Sequence, residues 1–428
     1  MKRFLSLALM LVCLFQLISC AVRHQNPTLT GDWARETWLQ GGISQNTKLW
    51  TRGADRWFLT GAPSLTEIHN REAGFNTAMS TMMVKVPNFT KIRVNGDFQV
   101  QLFGTTYGHN SVYVYGPNEG VRNTVVDMRG DTLCVTQIPK APRAMQNVII
   151  RIGVKNLTHL TQAGCGKIEG VQIQSCGLSI TMTPSGLGNV YLSGNMNVRR
   201  IDKAGGGSIS VFGAMTPHLN ILTQGRGVVS LAGNVGISNI LHHGNVDINI
   251  IGANSDSLRI LADGGGKISI NGPVCLKAVR ASDGVCVFAD NVNSSLLAVT
   301  TSQRARVGVA GRTNSLIVNA FNMSHFFGRN LCTREAFVRA YDQAHINVAS
   351  NNKIFASATQ TGSVYFFGSP NALSQFVRDN GVVIPMWGPG YATSCLIQPT
   401  GEIYPVIGKL KTKRHRAGRS VNRRWGAG

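Results

Sequence analysis

The chain has 428 residues, 48 of them Gly, with 14% charged residues and a net charge of +22. Glycine well above its usual share of about 7% favours a β-rich body with many tight turns and argues against a helical one. The cationic surplus favours anionic partners, such as lipid headgroups, lipopolysaccharide, anionic polysaccharide or nucleic acid.

The first element is a leader. Met1-Lys2-Arg3 is a positive start, and residues 4–18 are an apolar run broken by Ser6 and Gln16. A membrane span takes roughly twenty residues, so this shorter run predicts a signal-peptide core. It ends in Leu17-Ile18-Ser19-Cys20, which resembles the bacterial lipoprotein signal. That resemblance implies cleavage before Cys20, acylation of its thiol and stable anchoring by more than one acyl chain. Ala21, where an Asp would redirect sorting, implies the outer membrane by the same resemblance. Ordinary cleavage after Ala21 is the alternative. Residues 1–19 are thus a signal peptide, and 20–30 a lipidated tether.

Residues 31–88 hold Trp33, Trp38, Trp50 and Trp57. They predict a cap over the first coil, because an open solenoid end exposes unpaired strand edges. An aromatic ligand platform is the functional alternative.

Next come short strands: Phe89-Thr-Lys-Ile-Arg-Val-Asn-Gly-Asp-Phe-Gln-Val, Ser111-Val-Tyr-Val-Tyr-Gly and Gly130-Asp-Thr-Leu-Cys-Val-Thr. These resemble the putative auto-transporter adhesin family, head GIN domain, over residues 89–370. The resemblance implies a β-helical fold and an envelope location, and it carries no catalytic residues or cofactor.

From about residue 188 a motif recurs, as in Gly207-Ser-Ile-Ser-Val-Phe-Gly213 and Gly266-Lys-Ile-Ser-Ile-Asn-Gly272. Its closing positions are 194, 213, 233, 252, 272, 290, 311, 328, 350 and 368, a period near twenty. Inside each copy the apolar residues alternate, as in Ile209/Val211, Val229/Leu231, Ile248/Ile250 and Ile268/Ile270, and period two means strand. A second short strand follows midway, as in Ser257-Leu-Arg-Ile-Leu. The prediction is an all-β, right-handed parallel β-helix of ten or more coils, with Gly205-Gly-Gly and Gly264-Gly-Gly as corners. At about 4.8 Å per rung, ten coils span roughly 50 Å. Residues 371–408 are read as a C-terminal cap.

Catalytic candidates are few. Glycoside hydrolysis takes two carboxylates facing one groove, and the chain has 20 acids in all. Asp263 and Asp283, one period apart, are the pair to test, with Asp247, Asp256 and Asp290 scattered nearby. Turn Asp residues usually serve turn geometry. His242-His243, and His325 with His345, are read as exposed side chains that hold no metal. The cysteines show no CxxC and no zinc spacing. They are read as small buried hydrophobes, with Cys165–Cys176 and Cys275–Cys286 as candidate disulfides if the compartment is oxidising.

The last element is a basic tail, residues 409–428, predicted to be disordered. It carries Lys409, Lys411, Lys413, Arg414, Arg416, Arg419, Arg423 and Arg424 without an acid. These eight are the candidate anionic-polymer site, for lipopolysaccharide or polysaccharide. The sequence therefore predicts a non-enzymatic envelope lipoprotein without cofactor. It would sit on the periplasmic face or the cell surface and offer a β-surface for adhesion, binding or scaffolding, including to a host surface. Export argues against nucleic acid. A carbohydrate-active β-helix enzyme, lyase or hydrolase, is the alternative.

Overall fold

The computed structural model describes residues 79–105, 111–138 and 148–386. Of these described residues 75% are strand and 2% helix, wound as a parallel β-solenoid of about 11 turns. The N-terminal coils are the irregular ones. There β1 (Met79–Lys85) pairs antiparallel with β4 (Ser111–Pro117), and β4 pairs antiparallel with β7 (Ile149–Val154). A second antiparallel pair joins β5 (Thr124–Arg129) to β6 (Thr132–Gln137). One short helix, α1 (Asn118–Arg122), lies between β4 and β5. From β9 (Lys167–Met182) onward the pairing is parallel throughout.

A coil has three faces, as β11 (Ile209–Thr223) shows. Residues 209–212 form the first face, 214–216 the second and 219–223 the third, with the register shifting at the bends between them. Gly213 makes the first bend at φ 77°, and Gly252 makes its counterpart at φ 76°. A Cβ at Gly252 would lie 2.0 Å from the Gly233 carbonyl oxygen, so sterics as well as the left-handed backbone call for glycine.

The alternating apolar residues all point inward and stack. On the first face Val190 registers on Ile209 and Ile209 on Val229. The column resumes through Ile248, Ile268, Val287, Val307, Phe326, Ile346 and Val364. A second column on the third face runs Ile180, Ile201, Ile221, Ile240, Ile260, Val279, Val299, Val318 and Val338. All are at most 2% exposed. Full burial of one such side chain contributes about 1.5–3 kcal/mol, and no coil achieves it without its neighbours.

A third inward column, one step along the third face, is mixed. It reads Gln162, Met182, Lys203, Thr223 and His242, then Ala262, Ala281, Thr301, Ala320, Ala340 and Ala358. The polar members answer the corners. Gln162 Nε2 donates to the Gly166 carbonyl at 2.7 Å. Lys203 Nζ donates to the Gly205 carbonyl at 2.7 Å and to the Arg226 carbonyl. His242 Nε2 lies 2.7 Å from the Gly265 carbonyl and its Nδ1 2.8 Å from Thr223 Oγ1. The Gly-Gly-Gly runs are corners, as expected, and their inward carbonyls explain why long polar side chains are buried beside them.

Several expectations need correction. The repeat does not stop at 370. Residues 372–377 and 382–386 add strands that pair in parallel with the coil beneath. His242 is fully buried, and only His243 points outward. Cys165, Cys176 and Cys275 are free, so neither suggested disulfide forms. Cys165 and Cys176 are exposed rather than buried, whereas Cys134 does fill the core.

Candidate functional site

Cys20 and the eight tail cations, Lys409, Lys411, Lys413, Arg414, Arg416, Arg419, Arg423 and Arg424, lie outside the described residues, as do Trp33, Trp38, Trp50 and Trp57. Each member of the suggested acid pair is engaged in a hydrogen bond between coils. Asp263 faces His243, with 2.7 Å between Oδ1 and Nδ1. Asp283 accepts the Gly264 N–H at 3.1 Å, and Asp247 accepts the Lys267 N–H at 2.9 Å. Each of these carboxylates ties one coil to a neighbour. Among the described residues no group of three or more His, Cys, Asp or Glu could hold a metal.

The distinctive surface is the first face of the last coils. Two outward rows run along it at alternate positions. One row reads Lys267, Cys286, Arg306, His325, His345 and Ser363. The other reads Ser269, Phe288, Gly308, Phe327, Asn347 and Tyr365. Period-two alternation turns both rows outward while Ile346 and Val364 fill the core. The solenoid repeat then turns residues about twenty apart in sequence into neighbours.

The rings form a continuous chain. Phe327 and His325 stack with centroids 5.8 Å apart. His325 lies 5.6 Å from His345, and His345 4.7 Å from Tyr365. Lys267 Nζ sits 5.5 Å above the Phe288 ring, and the Arg329 guanidinium 4.9 Å from the Phe367 ring, both cation–π distances. Burial lowers the pKa of His325, with Arg306 adding to the effect. Burial and then His325 lower that of His345. The imidazoles are therefore held towards the neutral form, in which each keeps a donor and an acceptor. His345 Nδ1 lies 2.9 Å from Ser363 Oγ. Two carboxylates border these rows: Asp290 accepts the Asn291 N–H at 2.9 Å, and Asp247 accepts the Lys267 N–H at 2.9 Å.

The expectation that His325 and His345 are exposed side chains thus fails: they are partly buried register partners. Their twenty-residue separation, matching the repeat, was the signal that joins them. On the third face of the same coils Phe337 and Phe355 stack at 4.7 Å, and at the following corner Phe321 and Tyr341 stack at 4.9 Å.

Residues 88–285 match the family described as putative auto-transporter adhesin, head GIN domain. Residues 88–285 carry a head GIN domain. The match ends at 285, short of the expected 370, whereas the parallel coils run on to 386. Among solved structures the chain is similar to a putative adhesin from Bacteroides fragilis, at 15% identity and TM-score 0.24, covering 72% of this chain and 97% of that one. It is also similar to a putative lipid binding protein from Parabacteroides distasonis, at 11% identity and TM-score 0.25, covering 73% and 98%. No curated protein matches. Among the described residues no helix is long and apolar enough to cross a membrane.

Proposed function

We propose that this head GIN protein is a non-enzymatic cell-envelope lipoprotein that presents its solenoid as an adhesive surface. The observation that carries this reading is the first face of the last coils, where rings, imidazoles and guanidiniums share one surface. The adhesin description of the family over residues 88–285 agrees with it. The nearby carboxylates Asp247, Asp263 and Asp283 are engaged between coils, which argues against the two-carboxylate chemistry of a glycosidase. Cys20 would carry the lipid that holds the molecule to the outer membrane. The tail cations at 409–424 would add electrostatic attraction to an anionic envelope polymer or to anionic lipid, about 1 kcal/mol per cation near an anionic membrane before screening.

Cell fractionation tests the reading. Wild-type protein should label with a fatty-acid probe and pellet with membranes, and Cys20→Ala should be released. Soluble, unlabelled wild-type protein would remove the anchor. Deleting residues 409–428 should weaken binding to anionic vesicles or lipopolysaccharide and flatten its salt dependence. Cleavage of a polysaccharide panel that disappears in Asp263→Asn and Asp283→Asn would replace adhesion with an enzymatic reading.

A further inference from the structure

The outer row Phe288, Gly308, Phe327, Asn347, Tyr365 alternates large and small. Every second rung therefore presents an aromatic ring, and successive rings lie about 10 Å apart along the axis, twice the spacing between adjacent strands. The rungs between them carry Gly308 and Asn347, and one side of Phe327 and of Tyr365 packs on an imidazole of the neighbouring row. On the neighbouring row Lys267 and Arg306 bring cations, His325, His345 and Ser363 bring hydrogen-bonding groups, and Cys286 stands at the level of Phe288. This is a linear array with apolar platforms at a two-rung repeat along one side, and two cations, Lys267 and Arg306, followed by two imidazoles along the other. Aromatic faces suit the apolar face of a sugar ring, and guanidinium and ammonium groups suit carboxylates. An extended glycan advances by about two rungs per disaccharide, so its repeat matches the repeat of the platforms.

We propose that this face binds a linear acidic polysaccharide with one carboxylate per disaccharide, laid along the solenoid axis. Sugar rings would rest on Phe288, Phe327 and Tyr365. Their acid groups would meet Lys267, Arg306 and the His325–His345 pair. The inference deepens the adhesive reading and rests on it, by naming the class of polymer that the surface recognises.

Calorimetry on the detergent-solubilised full-length protein tests it, with hyaluronan oligosaccharides of two to six disaccharides as the probe. Affinity should rise with length and level off near three disaccharides, one per platform. Chitin oligosaccharides of equal length, which lack the carboxylate, should bind at least tenfold more weakly. Phe327→Ala and Tyr365→Ala should each cost about tenfold in affinity, with far-UV circular dichroism and melting temperature unchanged. Tyr365→Phe should bind as wild type does. Arg306→Gln should flatten the salt dependence, and this exposed-row change keeps the test open if an aromatic variant folds poorly. Affinity independent of length, or unchanged in both Phe327→Ala and Tyr365→Ala, overturns the site. Binding lost on deletion of 409–428 but retained in Tyr365→Ala also overturns it, while leaving the adhesive reading intact with the tail as its binding element.

Discussion

Between about residues 188 and 281 the coils turn on glycine. Gly213, Gly225, Gly227, Gly233, Gly244, Gly252, Gly264, Gly266 and Gly272 all have positive φ. From residue 282 the corner after the third face turns on other residues. Asp283, Gln303, Asn322, Asp342, Gln360 and Asp379 occupy it at φ between 55° and 61°. The interior changes one coil earlier, at Ala262. Lys203, Thr223 and His242 give way to a column of Ala and Thr, and Ala305, Ser324 and Ala344 are fully buried at the distal corners. The surface changes too. Residues 188–304 hold Tyr191, Phe212 and Phe288 as their aromatics, whereas residues 305–386 hold ten. The same three-faced coil is thus built in two ways: one solves the corner with backbone freedom, the other with side chains that link one turn to the next. The family match ends at residue 285, next to the changeover. A corner held by side chains leaves the coil's outer faces free to carry aromatics.

The inward columns are common to both builds, so the largest expected effect should be the same in each. Ile248→Asp places an unpaired charge at a fully buried position between Ile-bearing rungs and should cost about 4 kcal/mol or more, enough to abolish soluble expression. Val307→Asp in the distal coils should do the same. A distal variant that folds normally would mean the last coils are not part of one cooperative stack. Urea melts of both proteins decide this.

The buried polar column separates the builds. Burial brings the Lys203 pKa down to about 8, well below its unfolded value. The folded state therefore holds fewer protons than the unfolded chain between about pH 8 and 10.5, and stability rises with pH across that window. The gain lost as pH falls through 8 amounts to at most about 3 kcal/mol, reduced by the carbonyls that receive the ammonium. Denaturant midpoints should climb from pH 8 to 10 in wild type and stay flat in Lys203→Met. A flat wild-type profile would mean that the ammonium is fully compensated by its carbonyl partners.

What the sequence disclosed follows the same division. Where glycine marks the corner and alternation marks the strand, as at Ile209, Val229, Ile248 and Ile268, the coil and its inward faces could be read directly. The distal corners were harder to read, because Asp, Asn and Gln in left-handed turns look like ordinary polar residues. Inward Lys203 and His242 were invisible, since nothing local announces a carbonyl supplied by another corner. The outer aromatic–cation array was missed for a related reason. Its members are twenty residues apart and mean little singly, and only the register between coils makes Arg306, His325 and His345 adjacent.

Corner substitutions sharpen the contrast further. Gly252→Ala meets both a left-handed backbone and a carbonyl 2.0 Å from the new Cβ, and should cost about 2 kcal/mol or more. Asp342→Gly relieves a left-handed φ of 55° but loses the Asn322 N–H that Asp342 accepts at 3.1 Å, so the two effects nearly cancel and the change should stay within about 1 kcal/mol. Thermal melts showing equal losses would erase the distinction between the two kinds of corner.

The smallest effect belongs to Asp283, where the two builds meet. It holds φ 61°, accepts the Gly264 N–H through Oδ2, and takes the Gln303 side-chain oxygen on its own N–H at 2.7 Å. Asn tolerates the left-handed region and keeps one side-chain oxygen as an acceptor, so Asp283→Asn should change stability by less than about 0.5 kcal/mol. Asp283→Ala keeps neither the preference nor the acceptor and should cost about 1–2 kcal/mol, from a strained φ and an N–H left without its partner. The ordering Asn near wild type, Ala clearly below it, assigns the carboxylate to turn geometry. If Asn were as damaging as Ala, the charge itself would matter at this corner, and Asp283 would return as a candidate for chemistry.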